Sequence, residues 1–145
     1  MPPLAAAQSA LLEVPHASLR YDILGEGPVV IAAHGMLSSC EVDQRLAFNW
    51  PTIATAGRRL VRYDARGHGR STGRPQPEDY TWPSLAEDML ALRSHVAGTA
   101  SVDALGASMG CGTLLHAAVR QPEAFRRLVL VIPPTAWATR WRRRW

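Results

Sequence analysis

The chain has 145 residues, of which 47% are apolar and 19% are charged, so it is long enough for one globular domain but short for two. Charged residues interrupt every apolar run before it reaches the roughly 20 residues of a membrane span, which argues against a transmembrane protein. The formal net charge is +4, but four arginines fall in the last six residues, and the remainder balances acidic against basic side chains. We therefore expect neither a nucleic-acid partner nor a membrane partner.

The cysteines and the N-terminus indicate the compartment. Glu13 falls where the apolar part of a secretory signal would continue, so such a signal is not expected. Two cysteines, Cys40 and Cys111, are too few for a disulfide framework, and a reduced compartment suits them. The five histidines show no spacing typical of metal ligands. We expect a cytoplasmic protein with no metal and no organic cofactor.

Five segments are predicted to form strands. Residues 18–24 alternate between apolar and polar side chains and precede the turn signal Gly25-Glu26-Gly27-Pro28, which indicates an edge hairpin. The other four segments are short and mostly apolar, and the first of them is a continuous apolar run, as expected for strands covered on both faces of a parallel sheet. These runs are residues 29–33, 60–63, 102–105 and 128–132.

Helices are predicted between the apolar strands. The clearest spans Ser84 to Val96, where apolar residues recur at helical spacing, Ser84 and Glu87 form a predicted capping box, and Gly98 follows the end. The other two helices are predicted at residues 50–56 and 109–120. The alternation of strand and helix predicts an α/β protein with a doubly wound, mostly parallel sheet.

The strongest chemical signal is Gly106-Ala107-Ser108-Met109-Gly110, which matches G-x-S-x-G between a predicted strand and a predicted helix. A serine on so tight a turn has a strained backbone, so the positions two before and two after it need almost no side chain. The helix N-terminus supplies free backbone N–H groups, and the N–H of Met109 can stabilise an oxyanion. The motif therefore predicts Ser108 as a nucleophile.

Two further motifs precede this one. His34-Gly35-Met36 ends the first apolar strand, and Tyr63-Asp64-Ala65-Arg66-Gly67-His68-Gly69-Arg70-Ser71 follows the next. In this order the three motifs resemble the α/β-hydrolase fold family, and the resemblance covers about residues 18–134. It implies that the first motif is an oxyanion turn, with the backbone N–H of Met36 as the second donor. The residues Asp64, Gly67, His68 and Gly69 are then expected to shape a structural loop.

The motifs are most similar to those of small esterases, enol-lactonases and related cofactor-free hydrolases. The residue at the centre of the G-x-S-x-G turn is a serine rather than an aspartate, which argues against the dehalogenase and epoxide-hydrolase branches of the family. The resemblance therefore implies hydrolysis of a small carboxylic ester or lactone by acyl transfer to Ser108.

The acid and base that the family places after its nucleophile have no good counterpart in this sequence. After Ser108 there is one histidine, His116, and one acid, Glu123. His116 lies eight residues along the same predicted helix, an axial rise of about 12 Å, and Glu123 lies in a turn, so neither is expected to be catalytic. His34 and His68 follow strand ends and stay open as alternative bases, against structural roles in their own loops.

Complete domains of this architecture run to roughly 250 residues, so the resemblance implies an incomplete sheet and little activity from this chain alone. We expect an N-terminal lead over residues 1–17, a partial hydrolase domain over 18–134 and an irregular Arg/Trp-rich tail over 135–145. We interpret the tail as the product of a shortened coding sequence, and the alternative is a segment that binds nucleic acid or an anionic membrane.

The predicted last strand, residues 128–132, would lie at an open apolar edge of the sheet, where self-association is expected. The alternative to an enzyme is therefore a non-catalytic assembly module whose open edge pairs with another chain, which could itself supply the missing acid and base.

Overall fold

The computed structural model describes residues 8–45 and 50–134. Six strands and four helices form the described part, together with two 3₁₀ turns at Pro77–Tyr80 and Pro122–Ala124. In chain order the elements are β1 (Gln8–Val14), β2 (Ala17–Leu24), β3 (Val29–Ala33), α1 (Cys40–Arg45), α2 (Trp50–Thr55), β4 (Arg59–Tyr63), α3 (Trp82–Ala97), β5 (Val102–Ala107), α4 (Met109–Arg120) and β6 (Phe125–Val131).

The six strands form one sheet in the order β1-β2-β4-β3-β5-β6. The four apolar strands pair in parallel, whereas β1 with β2 and β2 with β4 are antiparallel. The predicted α/β class with a mostly parallel sheet is confirmed. The apolar runs suit these strands because helices follow β3, β4 and β5 and cover the sheet.

The hairpin at the start of the sheet differs from the prediction. We expected residues 18–24 to lie at the edge, but β2 lies between β1 and β4, and β1 is the outer strand. The missing partner falls in the segment expected to be an N-terminal lead. Its sequence, QSALLEV, lacks strict alternation because the strand is largely exposed on both faces. The predicted tail, residues 135–145, lies outside the described residues.

The core is unequal on the two faces of the sheet. The larger cluster lies under α3 and α4, where the side chains of Met89, Leu92 and Leu114 are completely buried. The smaller cluster, around Leu60, packs with Ile53 of α2 on the other face. The face under α3 and α4 therefore contributes most of the hydrophobic stabilisation.

The start of α3 corrects the predicted capping box. The helix begins at Trp82, and Thr81 is its N-cap, because the Thr81 hydroxyl accepts the N–H of Ser84 at 3.4 Å. Glu87 instead pairs with Arg120 on the surface of α4 at 2.9 Å. Pro83 explains the earlier start, since proline is tolerated in the first helical turn. Gly98 ends the helix as predicted, with a φ of 60° and its N–H bonded to the Ser94 oxygen.

None of the helices in the described ranges is both long and apolar enough to cross a membrane.

Candidate active site

Three strands deliver the predicted motifs to one edge of the sheet. In the parallel register Ala33 of β3 lies beside Tyr63 of β4 and beside Gly106 of β5. The segments that begin at His34 and Asp64, and the turn that contains Ser108, therefore leave the sheet together. This carboxyl edge of a parallel sheet is where such folds place their ligands.

Ser108 occupies the turn between β5 and α4. Its φ is 47° and its ψ is −109°, a strained backbone for a residue with a side chain, and its side chain is exposed. The Ser108 N–H donates to the Val131 carbonyl oxygen of β6 at 2.9 Å, and the Ser108 carbonyl oxygen accepts the Cys111 N–H at 2.9 Å. The surrounding hydrogen bonds thus hold the serine at the N-terminus of α4, facing solvent.

Neighbouring backbone atoms leave no room for a side chain at either glycine of the motif. A Cβ atom on Gly106 would lie 2.7 Å from the carbonyl carbon of Gly110, and a Cβ atom on Gly110 would lie 2.1 Å from the Ala33 oxygen. These distances are far below van der Waals contact, and the opposing atoms belong to the backbone. The sharp turn therefore depends on having no side chain at either position.

The Cys111 side chain contacts backbone oxygens on two segments next to the serine turn. Its thiol is buried, and its single S–H is shared between the Gly106 oxygen at 3.0 Å and the Val131 oxygen at 3.2 Å. Burial also raises the pKa of this thiol, so it stays protonated and able to donate. Sequence analysis had assigned no such function to Cys111, since a cysteine one helical turn past the serine is also typical of simple packing.

The predicted oxyanion turn lies directly beside Ser108. A Cβ atom on Gly35 would be 3.6 Å from the Ser108 Cβ, so the two motifs are in near contact. The turn is closed by the Ser38 N–H, which donates to the Gly35 oxygen at 3.0 Å. No hydrogen bond among the described residues uses the backbone N–H of Met36 or Met109. The two predicted donors are therefore free to bind an incoming oxygen atom.

His34 is fixed by backbone groups on both sides of its ring. Its Nε2 accepts the Ala65 N–H at 2.9 Å, so the proton lies on Nδ1, which donates to the Gly35 oxygen at 2.7 Å. Burial is the main cause that lowers the pKa of His34 and keeps the ring neutral. Because both nitrogens are engaged, the geometry favours the structural role over that of a base.

The contacts of His34 also orient the Met36 N–H. The Gly35 oxygen accepts both the His34 and the Ser38 donors, and in a trans peptide the N–H of the next residue points the opposite way. Hydrogen bonds on a carbonyl polarise the attached N–H and strengthen it as a donor. His34 thus sets the direction of the predicted oxyanion donor.

Asp64 organises the second loop. Its buried carboxylate accepts the Cys40 N–H at 2.7 Å and the Arg70 N–H at 2.9 Å. Gly69 passes so close that a Cβ atom there would lie 2.4 Å from this carboxylate. Gly67 has a φ of 70°, and a Cβ atom there would lie 2.7 Å from the Tyr80 hydroxyl oxygen. Asp64, Gly67 and Gly69 thus make close contacts within this loop and with its neighbours.

Arg66 is a site residue to which the sequence pattern gave no role. Its buried guanidinium makes two hydrogen bonds to Asp88 of α3, at 2.7 and 2.6 Å. This pair raises the pKa of Arg66 above its ordinary value, and the arginine stays charged. Arg66 therefore anchors the loop that carries His68 to the main helix of the core.

His68 lies between the two loops. Its Nδ1 is 2.9 Å from the Arg66 oxygen and its Nε2 is 2.9 Å from the Met36 oxygen. The centre of its ring is 5.2 Å from that of His34. Like His34, it has backbone groups at both ring nitrogens.

The remaining acid and histidine after Ser108 do not approach it. His116 stacks on Trp82 of α3 with 5.9 Å between ring centroids, and Glu123 is exposed in the turn before β6. Within residues 8–45 and 50–134, no three histidine, cysteine or acidic side chains are placed to hold a metal ion.

A family model described as the alpha/beta hydrolase fold matches residues 28–145. The chain belongs to this family. The match contains the oxyanion turn, the Asp64 loop and the serine turn, and it agrees with the resemblance seen in the three motifs.

Curated proteins of this kind are similar in sequence. The uncharacterized hydrolase YraK of Bacillus subtilis is 30% identical over 115 residues, which are 77% of this chain and 40% of that protein. Bifunctional epoxide hydrolase 2 of Sus scrofa is 28% identical over 92% of this chain and 24% of its own length. The sn-1-specific diacylglycerol lipase ABHD11 of Xenopus tropicalis is 31% identical over 80% of this chain and 35% of its own length. The chain spans two fifths or less of these relatives.

Solved structures share the fold. Epoxide hydrolase VrEH1 from Vigna radiata superposes with a TM-score of 0.78 at 23% identity, over 86% of this chain and 38% of that one. The thioesterase domain from the curacin biosynthetic pathway has a TM-score of 0.78 at 24% identity, over 95% and 52%. The backbone of this chain therefore has the same fold as these solved structures.

Proposed function

We propose that this chain carries the nucleophile and the oxyanion donors of a serine hydrolase that cleaves carboxylic esters or lactones. The observation that carries the proposal is the strained, exposed Ser108 at the start of α4, with the Gly35 turn in near contact. The N–H groups of Met36 and Met109, in these two adjoining segments, make no hydrogen bond within the described part of the chain. Strain at an exposed polar residue marks functional sites. The name of one relative, a diacylglycerol lipase, supports an ester substrate.

The chemistry follows from these positions. The Ser108 oxygen attacks the substrate carbonyl, and the negative charge that develops on the carbonyl oxygen is stabilised by the N–H groups of Met36 and Met109 and by the dipole of α4. Collapse of the intermediate expels the alcohol and leaves an acyl group on Ser108, which water then removes. Ser108 rather than an acid at this position favours acyl transfer over the epoxide opening named for other relatives.

The base that accepts the Ser108 proton is not assigned to the two nearby histidines. His34 and His68 each have both ring nitrogens against backbone groups, and His116 stacks on Trp82. We propose that the acid and base come from polypeptide outside this sequence, so the chain alone has a low turnover. An oxyanion hole without its base still gives a residual rate over water.

Selective labelling tests the oxyanion donors directly. The sequence contains only four methionines, Met1, Met36, Met89 and Met109. A ¹⁵N-methionine sample therefore gives separate amide signals for both donors and for Met89, which is completely buried in α3. Phenylboronic acid, which adds to an active serine as a tetrahedral adduct, is expected to shift the Met36 and Met109 signals and leave Met89 in place.

The matched variants are Ser108→Ala and Ser101→Ala, the latter at an exposed serine before β5. The shifts, the reaction with a fluorophosphonate probe and any release of p-nitrophenol from its acetate and butyrate esters should vanish in the first variant and persist in the second. Boronate shifts at neither donor in the folded wild type would refute the proposal.

A second candidate function is assembly through β6, and the position of this strand favours it. Among the described strands β6 lies at the end of the sheet, and Val129 is 54% exposed. An apolar groove of about 350 Å³ adjoins this edge and includes Val30, Ile53 and Leu105. A second copy that pairs β6 with β6 would satisfy the backbone groups of both edges and cover both grooves.

The oligomeric state tests this assembly. Val129→Lys should shift sedimentation from dimer to monomer, whereas Val119→Lys, at an exposed site on α4, should leave the dimer intact. A wild-type chain that sediments as a monomer at all concentrations refutes the candidate.

A further inference from the structure

His68 contacts two carbonyl oxygens, and this combination has a chemical consequence. The Arg66 oxygen lies 2.9 Å from Nδ1 and the Met36 oxygen lies 2.9 Å from Nε2. Carbonyl oxygens only accept, a neutral imidazole has a single N–H, and an imidazolium has two. Both contacts are therefore hydrogen bonds only when His68 is protonated.

The contact with Met36 lies on the oxyanion turn. Met36 is joined to its neighbours by two peptide groups. The first is held at the Gly35 oxygen by His34 and Ser38, and the second is held at the Met36 oxygen by His68. The Met36 and Leu37 side chains at the tip of the turn are 64% and 94% exposed, so packing adds little. Hydrogen bonds to the backbone therefore decide the conformation of this turn.

We propose that His68 is a positioning residue for the Met36 oxyanion donor and that its protonation state sets how firmly the turn is held. The inference rests on the proposed function. When His68 is protonated, it binds the Arg66 and Met36 oxygens together and ties the two loops. When it is neutral, one of the two bonds is lost, and the ring no longer ties the Arg66 and Met36 oxygens together. Oxyanion binding is thus strongest at low pH and falls as the pH rises, which is opposite to the dependence that a general base produces.

Charged groups on the neighbouring segments surround His68, and several of them are held by hydrogen bonds. Arg66 is paired with Asp88, Asp64 accepts two backbone N–H groups, and Asp43 accepts the Ser38 hydroxyl. Burial lowers the pKa of His34, which keeps that ring neutral. The charged and titratable groups on the segments around His68 are His34, Glu41, Asp43, Asp64, Arg66 and Arg70.

The pH dependence of the Met36 amide signal tests the inference in the ¹⁵N-methionine sample. In the wild type the Met36 signal should move between low and high pH, while Met89 stays in place. His68→Gln should abolish this movement, because a glutamine amide donates to the Met36 oxygen but does not titrate. His95→Gln, which changes a histidine bonded to the Tyr21 hydroxyl at 2.9 Å, should leave the movement unchanged.

The affinity for phenylboronic acid supplies a functional readout. Between pH 5.5 and pH 8 the wild type should lose roughly fivefold more affinity than His68→Gln, the size expected when one net hydrogen bond is lost. Identical pH curves for the Met36 signal in wild type and His68→Gln would overturn the inference. If phenylboronic acid shifts no methionine signal in either protein, the proposed function fails, whereas the pH curves still decide the role of His68.

Discussion

Gly110 is the position where a single added methyl group tests the packing of the serine turn. Its Cβ would lie 2.1 Å from the Ala33 oxygen and 2.6 Å from the Ala33 carbonyl carbon. Both atoms belong to the backbone of β3, which is hydrogen-bonded to β4 and β5 on its two sides. In Gly110→Ala the strand cannot move aside, so α4 has to lift away from the sheet.

Gly110→Ala is expected to lower the free energy of unfolding, whereas a glycine-to-alanine substitution in a helix usually raises it. Within an exposed helix, replacing glycine by alanine stabilises the protein by about 1 kcal/mol. Here the helix must move by about 1 Å, which disturbs the completely buried Leu114 and Ala117, and such overpacking costs about 1–3 kcal/mol. We expect Gly110→Ala to lower the free energy of unfolding by about 2 kcal/mol.

Urea unfolding followed by circular dichroism measures this change. The control is Gly98→Ala, whose Cβ has no neighbour within 4 Å, so that only the backbone strain at its positive φ, about 1–3 kcal/mol, is added. Boronate shifts at Met109 should also weaken in Gly110→Ala and persist in the control. If Gly110→Ala has a urea midpoint at or above that of the wild type, the steric account of the serine turn is refuted.

Three further substitutions test the loops around the site. Asp64→Asn keeps the shape of the side chain but replaces one carboxylate oxygen, which accepts a backbone N–H, with an amide donor. Urea unfolding should show that the free energy of unfolding falls by about 2 kcal/mol. An unchanged urea midpoint would refute the role given to Asp64. Because burial lowers the pKa of His34 in the folded chain, the unfolded chain binds the extra proton, so stability should fall as the pH drops below about 6.5. His34→Gln should reduce that slope, as measured by urea midpoints at pH 5 and pH 8. Cys111→Ala removes the S–H that the Gly106 and Val131 oxygens share and should cost about 1 kcal/mol, and in the native wild type Cys111 should resist alkylation by iodoacetamide.

Much of the fold could be predicted from local patterns. The apolar runs of β3 to β6 and the helix from Met109 to Arg120 were found in the sequence because continuous apolar runs and a G-x-S-x-G turn are local signals. The strand β1 was missed because its exposed residues do not alternate, and its pairing with β2 comes from hydrogen bonds that any sequence can make. The predicted start of α3 was wrong because Ser84 and Glu87 match the capping-box pattern as well as a true helix start does. The actual N-cap is Thr81, which precedes a tryptophan and a proline.

The site was predicted in part. Gly106 and Gly110 were singled out on steric grounds, and a Cβ atom at either position would clash with backbone atoms. Nothing in the sequence indicated the thiol bonds of Cys111 or the anchoring of Arg66 by Asp88, because both depend on which atoms the packed elements bring within reach. The roles of Ser108, Met36 and Met109 stay predictions that the labelling experiment tests.

The sequence by itself determined the family motifs, the residue types at the serine turn and the order in which strands and helices follow one another, since each depends on neighbouring residues. Only the tertiary structure decided that Gly35 lies against Ser108 and that His68 reaches Met36. Those contacts join residues that are far apart in the chain, and they arise because parallel β3, β4 and β5 end in register at one edge of the sheet. Local periodicity predicts the strands, whereas the order in which the strands pair decides which loops meet.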